Sequence, residues 1–224
     1  MNLGRVPRGA SLSDQVIARL RQQITSGAWP VGSRIPTEPE LVTQLGVARN
    51  TVREAVRALA HNGLLDIRQG SGTWVIATSE LAGVMQRRFA AADPGHVTEL
   101  RGTLEAAAAG FAARRRTEED LRLLDRLLAR REQAWASGDR DAFVDADSAF
   151  HLAVVSASHN DVLVELYADL GQVIRDSLRE HVGAELRPAD YLDHARLLEA
   201  VRAGDPESAS AEAATYTESC EAPR

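Results

Sequence analysis

Asp147 and His151 lie four residues apart in a stretch of helical spacing, so a carboxylate and an imidazole project from one face and could chelate one divalent cation. Carboxylate plus imidazole suits zinc, nickel, manganese or iron(II), and open coordination positions would let an organic acid bind the metal directly. The blander reading of an Asp-x-x-x-His pair is a hydrogen bond along a helix surface. His194, on a later helix, could complete the set from across a bundle. Arg101 stands one turn before Glu105, which allows two readings. It can pair with that carboxylate, or it can face the carboxylate of a bound effector.

A second constellation lies nearer the amino terminus. Arg49, Asn50 and Thr51 sit on the first turn of one short helical segment, with Arg53 one turn on. A recognition helix enters the major groove of DNA by its N-terminal end, so base-reading side chains belong on its first two turns. Arginine can grip guanine O6 and N7 in two-pronged fashion, while Asn and Thr serve bases or phosphates. The N-terminus itself favours a phosphate. The alternative is a small helical domain whose arginines are merely solvated.

The elements that position these groups follow from periodicity and punctuation. Ser11 or Ser13 caps a first helix reaching Gly27, with Val16, Ile17, Leu20 and Ile24 at helical spacing. A second helix covers Glu38 to Leu45 and ends at Gly46, and a third covers Ala48 to His61 with Val52, Ala55, Val56 and Leu59 inward. Two β-prone runs follow, Leu64–Arg68 and Thr73–Ala77, joined by the Gly-rich turn Gln69-Gly70-Ser71-Gly72. That is a winged helix-turn-helix over 11–77 behind a disordered tail at 1–10. Its wing tip at Gln69 and Gly70 can approach a DNA backbone closely.

From Thr78 onward Ala and Leu dominate and no strand pattern recurs. Breaks at Asp93-Pro94-Gly95, Ser137-Gly138-Asp139, Ser158–Asp161 and Ala203–Pro206, with Pro188 as a first helical residue, divide this part into segments. The segments predict helices near 79–92, 97–115, 118–136, 140–157, 161–182, 189–203 and 206–219. The chain is thus mainly α, with an all-α bundle of about seven helices after the head. A linker or connecting helix is expected at 78–96, a helical domain at 97–219, to which the resemblance given below assigns effector binding, and a tail at 220–224. His159 reads as a turn cap beside Asn160, and Arg114-Arg115-Arg116 as a cationic helix end meeting its own dipole. Trp29, Trp74 and Trp135 read as core or interface anchors. No partner is evident for His61, His96 or His181.

Charge supports two regions with two tasks. The 224 residues carry a formal charge of -6, yet residues 1–77 hold nine Arg against five acids and the remainder 17 Arg against 27 acids. Every cation other than His is Arg. A basic head on an acidic body fits a nucleic-acid partner for the head alone. The single cysteine, Cys220, excludes a disulfide scaffold and a Cys-rich zinc module. The absence of a long apolar run or an apolar signal core predicts a cytoplasmic chain with no membrane partner.

The residues of the head carry a resemblance. The stretch from Gly32 to Leu41, then Leu45 to Leu59, Gly63-Leu64-Leu65 and Arg68 to Thr73, is similar to the winged helix-turn-helix of GntR-type transcriptional regulators. The resemblance implies DNA contacts from Arg49, Asn50, Thr51 and Arg53, with the wing at Gln69 and Gly70 reaching the minor groove. One departure is Pro39, which stands where many members place an Arg between two acids. An all-helical partner resembles the FadR branch, whose ligand domain is called FCD. Glu99-Leu100-Arg101, Asp147-x-x-x-His151 and Asp193-His194 sit in the matching context.

That branch implies a homodimer reading a near-palindromic operator, a small organic acid effector, and a metal held by Asp147, His151 and His194. Metal-binding members generally offer a third His where this chain has Tyr216, and a phenol that titrates near 10 is a poor ligand. Either water completes a three-ligand site, or the cavity recognises its effector without metal; Tyr216 therefore joins Arg101 as an effector-binding candidate. Two other classes were weighed: a metal-dependent enzyme fused to a DNA-binding head, and a DNA-binding module with a purely structural dimerisation body. No nucleophile–base pair supports the enzyme, so a repressor relieved by ligand is the leading expectation.

Overall fold

The computed structural model describes residues 11–187 and 191–221, with side chains to 215. The expected tail at 1–10, residues 222–224 of the expected tail at 220–224, the Pro188 cap and the side chains of Tyr216 and Cys220 lie outside the described residues, while residues 220 and 221 belong to the last helix. The chain divides into two units, Met1–Arg87 and Arg88–Arg224.

In the first unit, α1 (Leu12–Thr25) opens on a reciprocal cap in which Ser11 and Asp14 satisfy each other's backbone N–H groups. Val16, Leu20 and Ile24, one turn apart, are its buried stripe. A second capping box, Thr37 with Glu40, starts α2 (Glu38–Leu45), with Pro39 in its first turn where a missing N–H costs nothing. Gly46 ends it at φ 66°, a left-handed conformation that glycine adopts without penalty. Helix α3 (Arg49–His61) buries Val52, Ala55, Val56 and Leu59 against α1 and α2.

The hairpin then forms from β1 (Leu65–Arg68) and β2 (Gly72–Val75), antiparallel with Leu65 opposite Val75 and Arg68 opposite Gly72. Both strands are shorter than the periodicity suggests. A feature absent from the sequence reading is that residues 33–35 pair with the free edge of β2. Ile35 N–H donates to Thr73 O (2.9 Å) and Val75 N–H to Ser33 O (2.9 Å). This covers one edge of a two-stranded ribbon that would be marginal alone. Gly72 sits beside the Arg34 side chain at φ 109°, a conformation that glycine adopts without strain.

Helix α4 (Glu80–Phe89) begins within the first unit, and the division between units falls inside it. The second unit contains α5 (Pro94–Arg115), α6 (Glu118–Ser137), α7 (Arg140–Ser156), α8 (Asp161–Val182), α9 (Ala195–Ala203) and α10 (Pro206–Glu221). With α4 these are the seven helices expected, among the described residues. Asp93, Thr117, Asp139 and Asn160 cap four of them by accepting backbone N–H groups. The α5–α10 contact is built from Ala109, Ala112, Ala113, Ala209 and Ala213, small enough for the backbones to approach closely. At Gly110 a Cβ would lie 2.5 Å from Ser210 Oγ.

Three readings are corrected. Helix α9 starts at Ala195 rather than 189, because Asp193 Oδ1 accepts the Ala195 N–H and starts the helix there. His159 is no cap: it adopts φ 46° and its Nε2 lies 2.8 Å from Asp120 Oδ2, while Asn160 caps α8. Of the Arg114–Arg116 run, only Arg114 bonds its own helix. Arg115 donates to Ser158 O (2.9 Å) past the end of α7 and Arg116 to Arg202 O (2.8 Å) near the end of α9. Side chains of one helix thereby satisfy the orphan carbonyls of two others.

Candidate functional site

In the first unit Arg49 and Asn50 are exposed, Thr51 and Arg53 half-buried, all on the first two turns of α3. Burial of Val52, Ala55 and Val56 on the opposite face turns these polar groups outward. Arg49 Nε and Arg53 Nη2 each lie 3.4 Å from Glu38 Oε2, so one carboxylate of α2 holds both cations. The sequence reading missed Glu38; its distance of 11 and 15 residues from the two arginines hides the pairing. Gln69 and Gly70 occupy the exposed hairpin turn, Gly70 at φ 75°. The arginine of the wing strand, Arg68, stacks over Trp74 with its guanidinium 5.2 Å from the ring centre.

In the second unit Asp147 and His151 are fully buried on α7, and His194 is fully buried at the start of α9. His151 Nε2 and His194 Nε2 are 2.9 Å apart. Asp147 Oδ1 is 3.7 Å from the first and 3.9 Å from the second. The opposite ring atoms are also committed. His194 Nδ1 lies 2.9 Å from Leu192 O, and His151 Nδ1 lies 2.8 Å from Glu105 Oε2. Each Nδ1 therefore lies against an oxygen, and both Nε2 atoms face inward to the same point.

Arg101 pairs with Glu105, the first of its two readings, at a cavity wall. Its Nε donates to Glu105 Oε1 (2.7 Å) and its Nη2 to Asp147 Oδ2 (3.0 Å). A second arginine, Arg131 of α6, is buried and donates from Nε to Asp147 Oδ1 (2.8 Å) and from Nη1 to Glu132 Oε1 (2.9 Å). Tyr167 of α8 donates its hydroxyl to Glu105. Arg131 and Tyr167 were not among the predicted residues. A buried Arg in an Arg-rich helix has no local sequence mark, and Tyr167 looks like any core aromatic.

The charges explain the titration behaviour. Burial pushes the Asp147 carboxyl up, but His151, Arg101 and Arg131 outweigh it and hold it well below the usual range. Glu105 is likewise raised by burial and lowered more strongly by Arg101 and His151, to about 2. Burial, then the neighbouring His151 and Arg131, depresses His194 to about 3, so its imidazole is neutral at physiological pH. Burial against Glu105 raises the Tyr167 phenol well above its ordinary value.

The donor set fits a divalent cation. A carboxylate and two imidazoles offer one ligand atom each to a common point. Their separations of 2.9, 3.7 and 3.9 Å are each within the reach of two bonds of about 2.1 Å to a shared ion. Asp147 Oδ1 would then be shared between the ion and the Arg131 guanidinium. Around the cluster lies a cavity lined also by Thr98, Ser177 and His181 and by apolar side chains of α5, α7 and α8. His96, by contrast, lines a separate apolar groove with Phe89 and Leu100. His61 is exposed at the end of α3, and Trp135 packs edge-on to Phe143 with centroids 5.0 Å apart. Among the described residues no helix is long and apolar enough to cross a membrane.

Residues 12–75 match the family described as bacterial regulatory proteins, gntR family, and residues 96–218 match the FCD domain. The chain is 31% identical over 189 residues to the Uxu operon regulator of Haemophilus influenzae, covering 82% of this chain and 70% of that protein. It is 30% identical over 213 residues to the galactonate operon transcriptional repressor of Escherichia coli, covering 91% of this chain and 92% of that one. A solved structure of Streptococcus agalactiae GntR superposes with a TM-score of 0.51 at 31% identity, covering 93% of this chain and 98% of the other.

Proposed function

Given that the chain belongs to the gntR family of bacterial regulatory proteins and carries an FCD domain, we propose that it is a repressor whose grip on its operator is set by a small organic acid. DNA binding and transcriptional regulation are the family's activity, and the chain is not an enzyme. The observation that carries the acid reading is the cavity where Arg101, Arg131, Asp147, His151 and His194 converge, closed off by apolar walls. A ligand there meets two guanidinium groups and two imidazole lone pairs in a low-dielectric site, the environment in which a carboxylate gains most from a cation. The galactonate operon repressor, a relative, supports an organic acid in this role.

Each unit has its task. Arg49, Asn50, Thr51 and Arg53 read an operator in the major groove, and the turn at Gln69 and Gly70 follows its backbone. Before they do so, Arg49 and Arg53 must leave Glu38 for phosphate or base, and the exposed pairs release readily because such contacts are worth little. One head of modest charge makes few phosphate contacts, so a homodimer on a near-palindromic site is the arrangement that supplies affinity. Activity on DNA places the chain in the cytoplasm.

In the second unit Asp147, His151 and His194 would hold a divalent cation, of which zinc, nickel, manganese and iron(II) all accept this donor set. When bound, such an ion would supply an electrophile for the effector's carboxylate. Glu105 keeps the His151 lone pair aimed inward, and Leu192 O does the same for His194. Arg101 stands at the cavity wall, where swinging from Glu105 and Asp147 to an effector would reset the contacts between α5 and α7. Differential affinity of the effector for the two arrangements is what would shift operator binding. The test is a titration of fluorescently labelled DNA from upstream of the chain's own gene, with and without divalent metals and organic acids. Release or capture of DNA by an acid supports the reading, and indifference to every acid refutes it.

A further inference from the structure

The lining of the cavity bears on which acid it takes, an inference that rests on the acid reading above. Charged and imidazole groups are gathered at one end. The other walls are Val97, Phe143, Ile174, Leu178, Val182 and Leu192. Beyond the charged cluster the polar groups are two hydroxyls, Thr98 and Ser177, and the imidazole of His181. The Ser177 hydroxyl already donates to Pro94 O at 3.3 Å, which leaves it only as an acceptor. The cavity volume is about 50 Å3, in a site partly open to solvent. That is far below the roughly 300–1,000 Å3 of pockets that hold drug-sized ligands.

We propose that this cavity selects short-chain monocarboxylates with an apolar end, carrying at most one further hydroxyl or oxo group, and rejects polyhydroxylated sugar acids. The carboxylate goes to the charged end, where Arg101, Arg131 and the imidazoles gather. The alkyl end lies against Ile174, Leu178 and Val182 and gains by leaving water. One 2-hydroxy or 2-oxo group finds a partner in Thr98, Ser177 or His181. A sugar acid brings a chain of hydroxyls that these walls cannot pair, and each buried hydroxyl left without a partner costs affinity. The galactonate operon repressor is a relative at 30% identity, which makes D-galactonate the sugar acid against which this selectivity is set.

The experiment is isothermal titration calorimetry on the full chain, loaded with zinc and separately stripped of metal. The probes are acetate, propanoate, butanoate, (S)-2-hydroxypropanoate and 2-oxobutanoate, set against D-galactonate and D-glucuronate. Affinity should rise about fourfold for each methylene from acetate to butanoate, the gain expected for burying a CH2 group. Both sugar acids should bind at least tenfold more weakly than butanoate. The near-isosteric Val182→Thr puts a hydroxyl into the apolar wall and should weaken butanoate several-fold, with far-ultraviolet circular dichroism confirming an intact fold. Sugar acids binding as tightly as butanoate would overturn the selectivity and leave the acid reading standing. Butanoate binding unchanged by Val182→Thr would overturn the placement of the alkyl end. Silence from every probe in both metal states would overturn this proposal together with the acid reading.

Discussion

His151 and His194 meet nitrogen to nitrogen, Nε2 to Nε2 at 2.9 Å, across 43 residues of sequence. Each Nδ1 lies against an oxygen, at 2.9 Å for His194 and 2.8 Å for His151. The two Nε2 atoms and Asp147 thus converge on one point, the arrangement that a shared cation would need. This relationship bears on metal binding more directly than the spacing of Asp147 and His151 does.

Replacing His151 and His194 together by Ala should therefore abolish bound divalent metal, read by elemental analysis of protein purified without chelator. Wild-type protein that carries no metal after incubation with zinc and desalting would refute the site.

Glu105 should act on the metal without touching it. A carboxylate beneath a ligating imidazole fixes its tautomer, and its loss costs roughly 10–100-fold in metal affinity. Glu105→Gln keeps the shape, so the measurement is zinc affinity by competition with a chelating dye. An affinity equal to wild type would remove Glu105 from that role.

Arg101 separates structure from response. Deleting it outright takes one cationic partner from each of Glu105 and Asp147, two buried carboxylates, and breaking a buried pair in this way costs about 3–5 kcal/mol of stability. Arg101→Lys keeps the charge and loses the fork that reaches both carboxylates. It should bind operator normally yet fail to respond to the acid, and a fully responsive variant would place the acid elsewhere.

On α3, Arg53→Ala should weaken operator binding by roughly 1–3 kcal/mol if this side chain reads a base. Loss of Glu38 as a partner is the smaller effect, since the pair is exposed. Fluorescence anisotropy with specific and scrambled DNA makes the distinction. An equal loss on both sequences would mean a phosphate contact, and no loss at all would remove Arg53 from the interface.

Acid stability should carry a signature of Asp120. Burial raises its carboxyl, but the Thr117 backbone and hydroxyl, with His159, lower it further than burial lifts it. A folded value below the ordinary 3.8 means stability present above that pH and lost as pH falls through the folded value. Asp120→Asn should flatten that acid arm of a thermal-melt series and cost about 1 kcal/mol at neutral pH as a lost cap. An unchanged acid arm would assign the acid dependence to the buried carboxylates instead.

Much of the head was legible because its signals are local. Capping boxes at Ser11 and Thr37, Gly46 at the end of α2 and the Gly-rich turn each act within a few residues. The helices from α4 to α10 among the described residues were legible for the same reason, apart from the start of α9. Pairing of residues 33–35 with β2 was not, since an unpaired edge says nothing in sequence about what will cover it.

For the candidate site, the sequence by itself determined which side chains could bind a cation, because Asp147 and His151 share a helix face at fixed spacing. It also pointed Arg49, Asn50, Thr51 and Arg53 outward, since Val52, Ala55 and Val56 are apolar at helical period on the inner face. Only the tertiary structure decided what those groups contact. His194 reaches His151 from a helix that begins 43 residues later, Arg131 reaches Asp147 across 16 residues, and Tyr167 reaches Glu105 across 62. Periodicity reports the face on which a side chain lies. The partner on the opposing face depends on how the helices pack, and burial, which sets the strength of every charge in the cavity, exists only once they have packed.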